Sequence, residues 1–161
     1  MIEVIHTLFG FLSLFVGMFV LLRPKGTKSH KVVGKIYVTA MLGLNITAFG
    51  IYNLFGGFGV FHVAAIISLF SVLAGLLVLY FRTKIKFWVL IHYEFMVWSY
   101  IGLLAATSNE AFVHVTMLNK IAKTYNWLPF TIMFCIIGVG ATFLYCLRSS
   151  ITNKVLRSPN A

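Results

Sequence analysis

Few side chains in this sequence could do chemistry, and most of those that could are histidines. The chain of 161 residues contains five histidines, two cysteines and no aspartate. Imidazole nitrogens bind haem iron, zinc and copper, so histidines on different helices could form a cofactor or metal site. The histidines are His6, His30, His62, His92 and His114. No HxxxH or HExxH pattern occurs, so any such site has to be assembled from separate elements.

Glu94 is the second unusual group, because it is a carboxylate within a long apolar segment. An ionisable side chain inside a bilayer is costly and is therefore a functional candidate. We expect Glu94 to pair with Lys35, a second buried ionisable residue at similar depth, or to be protonated and hydrogen-bonded to another helix. Either a structural tie between helices or a proton-handling or ligand-binding role fits this position.

Composition indicates that membrane helices hold these groups. The chain is 60% hydrophobic and 10% charged, whereas a soluble domain is about 25% charged. A helix needs about 20 apolar residues to cross a bilayer, and the long apolar runs lack the alternation of a membrane barrel. The predicted fold is all-α, a single polytopic helix bundle. Its five predicted spans cover 4–22, 33–55, 60–81, 87–107 and 124–147.

The basic residues predict the orientation of these spans. The net charge is +10, from thirteen Lys and Arg against three Glu. With five spans, eleven of the cations fall on one side, and Lys120 and Lys123 on the other. The positive-inside rule places the N-terminus outside and the basic tail, 148–161, in the cytoplasm. The charge is thus an orientation signal, and we expect no nucleic acid partner and no cleaved signal peptide.

Turns and small residues organise the predicted bundle. Gly56 to Gly59 divides the long run between spans two and three. Segment 108–123 has helical spacing, which predicts either a surface helix or an extension of the fourth span. Gly10 and Gly17, like Gly43 and Gly50, are seven residues apart and predict close helix contacts. Cys135 and Cys146 are predicted to be buried and unpaired, since eleven residues of helix hold them about 16 Å apart.

The topology sorts the histidines into two layers. His6, His62 and His114 lie near the outer face, and His30 and His92 near the inner face. One hypothesis is haem or metal ligation by His6, His30, His62 and His92, with electron transfer across the membrane. A second is an outer zinc or copper site that uses His6, His62 and His114. A third is that each histidine lies at the interface without a ligand.

Absent motifs favour a non-catalytic protein over an enzyme. The sequence contains no phosphate-binding glycine loop and no GxSxG elbow, and its short inner loops leave no room for a soluble catalytic domain. A membrane subunit or an assembly or stability factor is therefore an alternative. Its inner cations would attract anionic lipid or a membrane protein partner, since each juxtamembrane cation contributes about 1 kcal/mol.

The segment KGTKSHKVVGKIYVTAM resembles one found in small bacterial membrane proteins grouped as domain of unknown function 2306. The residues that carry the resemblance are Lys25, Gly26, His30, Gly34, Tyr37 and Met41. His6 with Gly10 and Gly17, and His92 with Met96, are also similar to that pattern. The resemblance covers about residues 3 to 147 and implies a multi-helix integral membrane protein. We expect it to lie in the bacterial inner membrane. It implies no established activity.

One position departs from that pattern, since this chain has Lys31 after His30 where such proteins usually carry arginine. The charge is preserved.

The leading hypothesis is a small multi-pass membrane protein of unknown activity that acts in redox or haem-related chemistry through its histidine layers.

Overall fold

The chain forms six helices in the computed structural model, which describes residues 1–52 and 57–156, with the backbone alone at 60 and 149–156. Gly56 and Arg157, which the sequence assigns to a turn and to the inner cations, lie outside the described residues. The helices are α1 (Ile2–Leu22), α2 (Lys28–Ala48), α3 (Val60–Tyr80), α4 (Trp88–His114), α5 (Thr116–Thr124) and α6 (Leu128–Leu156).

A short, well-bonded turn joins α1 to α2. The Lys25 ammonium donates to the carbonyls of Val20 at 2.9 Å and Leu21 at 2.5 Å, which satisfies the last turn of α1. Partial burial lowers the pKa of Lys25 from its ordinary value. The Thr27 side chain then caps α2 by accepting the His30 N–H at 3.1 Å. This turn holds the inner ends of the two helices together.

Glycines allow α1 and α2 to pack closely along their whole length. A Cβ at Gly17 would lie 2.5 Å from the Tyr100 ring and 2.8 Å from the Tyr37 ring, and one at Gly43 would lie 2.7 Å from the Phe9 ring. Near the other end, a Cβ at Gly50 would collide with Ile2. The predicted close approach at these glycines is therefore confirmed, and the two helices are antiparallel neighbours.

The fold is the predicted helical membrane bundle. Four helices are long and apolar enough to cross a membrane: Ile2–Leu22, Phe61–Tyr80, Trp88–His114 and Leu128–Arg148. Helix α2 is less apolar because Lys31 and Lys35 lie in its first half, but it runs beside α1 over the full length. The count of five spans and their orientation stay predictions.

Segment 108–123 contains both an extension of the fourth predicted span and a separate short helix. Helix α4 continues to His114, and the extended Val115 separates it from the nine-residue α5. Helix α6 also continues past residue 147 to Leu156, so most of the predicted tail is helical. Pro129 is the second residue of α6, where its missing N–H leaves no hydrogen bond unmade.

The core is small, as expected where lipid covers the outside. One cluster joins α2, α3 and α4, and a second joins α4 and α6; their buried members are Tyr37, Met41, Val72, Leu103, Val97, Ile101 and Leu144. The prediction that Cys135 and Cys146 are buried is wrong, since both are exposed on α6. Helix α6 contributes few buried residues, so most of its apolar surface faces outward and the thiols lie on that surface.

Candidate functional site

The three outer histidines line one cavity at the end of the bundle where α1 and α3 begin and α2 and α4 end. The cavity has a volume of about 100 Å³. Its ionisable lining residues are Glu3, His6, His62, Glu110 and His114, and its other walls include Thr7, Ile51, Phe61 and Val113. The structure thus brings together the predicted outer set of histidines, and it adds two carboxylates to them. We call this cavity the outer pocket.

The hydrogen bond of His6 determines which ring nitrogen is available. Its Nδ1 lies 3.0 Å from the Thr47 hydroxyl. That hydroxyl donates its own proton to the Gly43 carbonyl at 2.8 Å, so it accepts from His6 and Nδ1 carries the ring proton. The Nε2 of the neutral ring then keeps its lone pair. Metal-binding histidines have this arrangement, with the second nitrogen donating to an oxygen of the protein.

His62 has the opposite arrangement. Its ring is stacked between Tyr52, at a centroid distance of 4.8 Å, and Phe58, at 4.9 Å. The residue is only 3% exposed. Its Nδ1 accepts the Gly59 N–H at 3.1 Å, so the neutral ring carries its proton on Nε2, which has no partner within the described part of the chain. His62 is a fixed donor at the pocket and is poorly suited to ligate a metal.

The remaining polar wall comes from the last turn of α4. Glu110 and His114 are one turn apart, with 3.0 Å between the His114 Nε2 and the Glu110 carboxylate. The charge of Glu110 also acts on the His6 ring. No Lys or Arg is among the described residues that line the pocket. Two of the three Glu carboxylates of a chain with net charge +10 therefore line the same cavity.

The ionisable side chains of the outer pocket do not surround a single point closely. Within residues 1–52 and 57–156, no three His, Cys, Asp or Glu side chains converge closely enough to hold a metal ion by themselves. A metal there would be held by fewer protein ligands, with water in the remaining positions. Open coordination of this kind is typical of sites that exchange ligands.

The inner histidines lie at the other end of the bundle. His92 donates from Nδ1 to the Gly75 carbonyl at 2.9 Å, so its Nε2 keeps a lone pair. His30 has a buried Nδ1 without a partner among the described residues, and its ring is close enough to His92 for their charges to interact. The four histidines proposed as cofactor ligands are thus divided between two ends of the bundle: His6 and His62 at the outer pocket, His30 and His92 at the opposite end.

Glu94 pairs with Arg148, which corrects its expected pairing with Lys35. The Glu94 carboxylate lies 3.3 Å from the Arg148 Nε, whereas Lys35 is exposed. The physical reason is that Glu94 lies on the side of α4 that contacts α6, not α2. Glu94 is also only partly buried, with 27% of its side chain exposed. It is a tie between α4 and α6.

Glu3 and Glu110 are the site residues that sequence reasoning missed. Neither carboxylate is among the site residues that the sequence predicts. A signal was present, since Glu3 is three residues from His6 and Glu110 is four from His114. These are helical spacings that put each carboxylate on the same face as a histidine.

Comparisons with known proteins agree with the fold and add the family. No curated protein and no solved structure matches the chain. The family model for DUF2306, described as a predicted membrane protein, matches residues 3–146. This range includes both histidine layers. It covers the six helices except for the first residue of α1 and the end of α6. Because the match covers most of the sequence, the chain belongs to the DUF2306 family of predicted membrane proteins.

Proposed function

We propose that this membrane protein binds a divalent transition-metal ion in the outer pocket. One observation carries the proposal: three of the five histidines and two of the three carboxylates line one cavity whose described lining has no Lys or Arg. Imidazole combined with carboxylate suits zinc, iron, nickel and copper better than it suits calcium or magnesium.

The hydrogen bonds favour particular ligands. His6 offers Nε2, since Thr47 holds the proton of Nδ1, and Glu110 offers a carboxylate that already interacts with His6 and His114. His114 and Glu3 line the same cavity. His62 would supply a donor from Nε2, which has no partner among the described residues. His6 and Glu110 would hold the ion, and His114 would join them only by giving up its bond to Glu110.

The size of the outer pocket agrees with a hydrated ion. A buried water needs roughly 10–15 Å³ of such volume, so about 100 Å³ holds an ion with several waters. Pockets for drug-sized ligands measure about 300–1,000 Å³. A haem group would not fit there without rearrangement, so the pocket favours the outer metal hypothesis over haem at His6 and His62.

Zinc titration of the detergent-purified protein tests the proposal. We expect one Zn²⁺ per chain by isothermal titration calorimetry, in a background where Cys135→Ser and Cys146→Ser remove thiol binding. His6→Ala and Glu110→Gln each weaken binding by about 10-fold or more, in line with the loss of a ligand or its support. His30→Ala, at the opposite end, is the matched control and leaves affinity unchanged. Equal affinity in all four proteins would contradict the proposal.

A second candidate function is redox or haem chemistry at the inner histidines, and the bond from His92 to Gly75 favours it. A carbonyl that accepts the Nδ1 proton orients a histidine to ligate through Nε2, and His30 has an unpartnered Nδ1 nearby. An absorption spectrum of the purified protein tests this role. A Soret band that His92→Ala removes would support haem at the inner end, and a colourless, iron-free preparation would contradict it.

A further inference from the structure

Three lysines share one exposed face in the first half of α2. Lys28, Lys31 and Lys35 are separated by three and four residues, so they lie within about 60° of one another around the helix. All three are exposed, and we call this set the lysine face. We propose that the lysine face binds the phosphate headgroup of an anionic phospholipid. This inference does not depend on metal binding in the outer pocket.

No side-chain carboxylate of the chain is available to balance the lysine face. The chain has three Glu and no Asp. Glu3 and Glu110 line the outer pocket, at the other end of α2, and Glu94 pairs with Arg148. The ammonium groups of the lysine face make no hydrogen bond or ion pair with any residue that the structure describes. The lysine face therefore presents three unpaired cations to the surroundings of the bundle.

The depth of Lys35 favours phosphate as the anion. Lys35 is seven residues beyond Lys28, about 10 Å along the helix axis. A Cβ at Gly17 would collide with the Tyr37 ring, so Lys35 is level with the last turns of α1, which are apolar. A lysine at such a level extends its ammonium toward the membrane interface. The anions at that interface are lipid phosphates.

The same face of α2 becomes apolar further along the helix. Leu42 and Ile46 are seven and eleven residues after Lys35, spacings that keep them on the same side of α2. The Ile46 side chain is 67% exposed. A phospholipid has the same order of groups, with a charged headgroup followed by acyl chains. One lipid along α2 would thus place its phosphate at the lysine face and its chains against Leu42 and Ile46.

Lipid binding to the whole protein in detergent tests this inference. Native mass spectrometry measures the affinity of the first bound lipid when phosphatidylglycerol or phosphatidylcholine is added. We expect the anionic phosphatidylglycerol to bind about 10-fold or more tightly than the zwitterionic phosphatidylcholine. Lys31→Gln combined with Lys35→Gln should weaken phosphatidylglycerol binding by about 25-fold, since each cation near the membrane surface contributes about 5-fold.

The matched control removes the same charge from the other end of the molecule. Lys120→Gln combined with Lys123→Gln replaces two exposed lysines of α5 and should leave the affinity for phosphatidylglycerol unchanged. Lys31→Arg combined with Lys35→Arg keeps the charge and should retain binding. Inorganic phosphate, added at the concentrations used for the lipid, should not displace it, because phosphate lacks the acyl chains that contact Leu42 and Ile46.

Three results would overturn the inference: equal affinity for the two lipids, equal weakening in the two glutamine double variants, or displacement of the lipid by phosphate. Folding is checked by circular dichroism and gel filtration in detergent. The glutamine variant of the lysine face should fold normally, because the ammonium groups that it removes have no partner among the described residues. If that variant does not fold, the comparison of the two lipids on the unaltered protein decides.

Discussion

At the scale of single residues, the hydrogen-bond partner of each histidine decides what its ring can do. His6 and His62 have the same side chain and line the same cavity. Thr47 leaves His6 with a free Nε2 lone pair, while the Gly59 N–H leaves His62 with an Nε2 proton. Sequence could place both at the outer face, because each begins an apolar run. It could not distinguish ligand from donor, since that depends on a turn and on a residue 41 positions away.

Replacing these two rings by phenylalanine should therefore give different results. His62→Phe keeps an aromatic ring against Tyr52 and Phe58 but removes the Nε2 donor and the Nδ1 that accepts the Gly59 N–H, so Zn²⁺ affinity should fall by roughly 10-fold, the lower end of the effect of a supporting group. His6→Phe removes a ligand and should abolish the calorimetric signal. Both are measured by zinc titration. Loss of binding in His62→Phe with retention in His6→Phe would reverse the assigned roles.

At the scale of helices, hydropathy predicted the elements well but not their neighbours. Apolar runs of the right length mark α1, α3, α4 and α6 because the bilayer requires them. Glycines seven residues apart predicted close helix contacts in α1 and α2, but not that these two helices contact each other. Pairing of Glu94 with Arg148 was not predictable, because hydropathy does not say which helix faces which. Hydropathy also does not distinguish the two glycines of α6. A Cβ at Gly140 would collide with Ile101, whereas a Cβ at Gly138 would meet no atom within 4 Å.

The contact at Gly17 can be tested by adding one methyl group. Gly17→Ala should lower stability by roughly 1–3 kcal/mol, because its Cβ would force the Tyr37 and Tyr100 rings to move. Gly102→Ala is the matched control: its Cβ meets no atom within 4 Å, and alanine favours a helix interior by about 0.5–1 kcal/mol. Unfolding in detergent measures both. Equal stability of the two variants would show that α1 and α2 are not closely packed there.

At the scale of the whole molecule, charge and chemistry are separated between two ends. The α1–α2 and α3–α4 turns together with the first half of α2 carry eight of the thirteen Lys and Arg, and the outer pocket has two of the three Glu carboxylates. The separation agrees with the positive-inside prediction, and it would allow a protein with net charge +10 to bind a cation in the outer pocket, as proposed. The predicted orientation depends on α2. Both basic turns lie on the same side of the membrane only if α2 crosses it.

Single cysteines can show whether α2 crosses. In a background with Cys135→Ser and Cys146→Ser, Thr27→Cys and Lys84→Cys place a thiol in each basic turn. We expect both to react with an impermeant maleimide only in inside-out vesicles, while Lys120→Cys reacts in intact cells. Labelling of Thr27→Cys and Lys84→Cys from opposite sides would contradict the five-span prediction.

The most direct test of metal binding in the outer pocket is X-ray absorption at the zinc edge of the Zn²⁺-loaded protein. We predict a first shell of nitrogen and oxygen at about 2.0–2.1 Å, with outer-shell scattering from imidazole that decreases in His6→Ala. A sulfur shell at about 2.3 Å, or an oxygen shell without imidazole scattering, would contradict the assignment of the metal to His6 and Glu110.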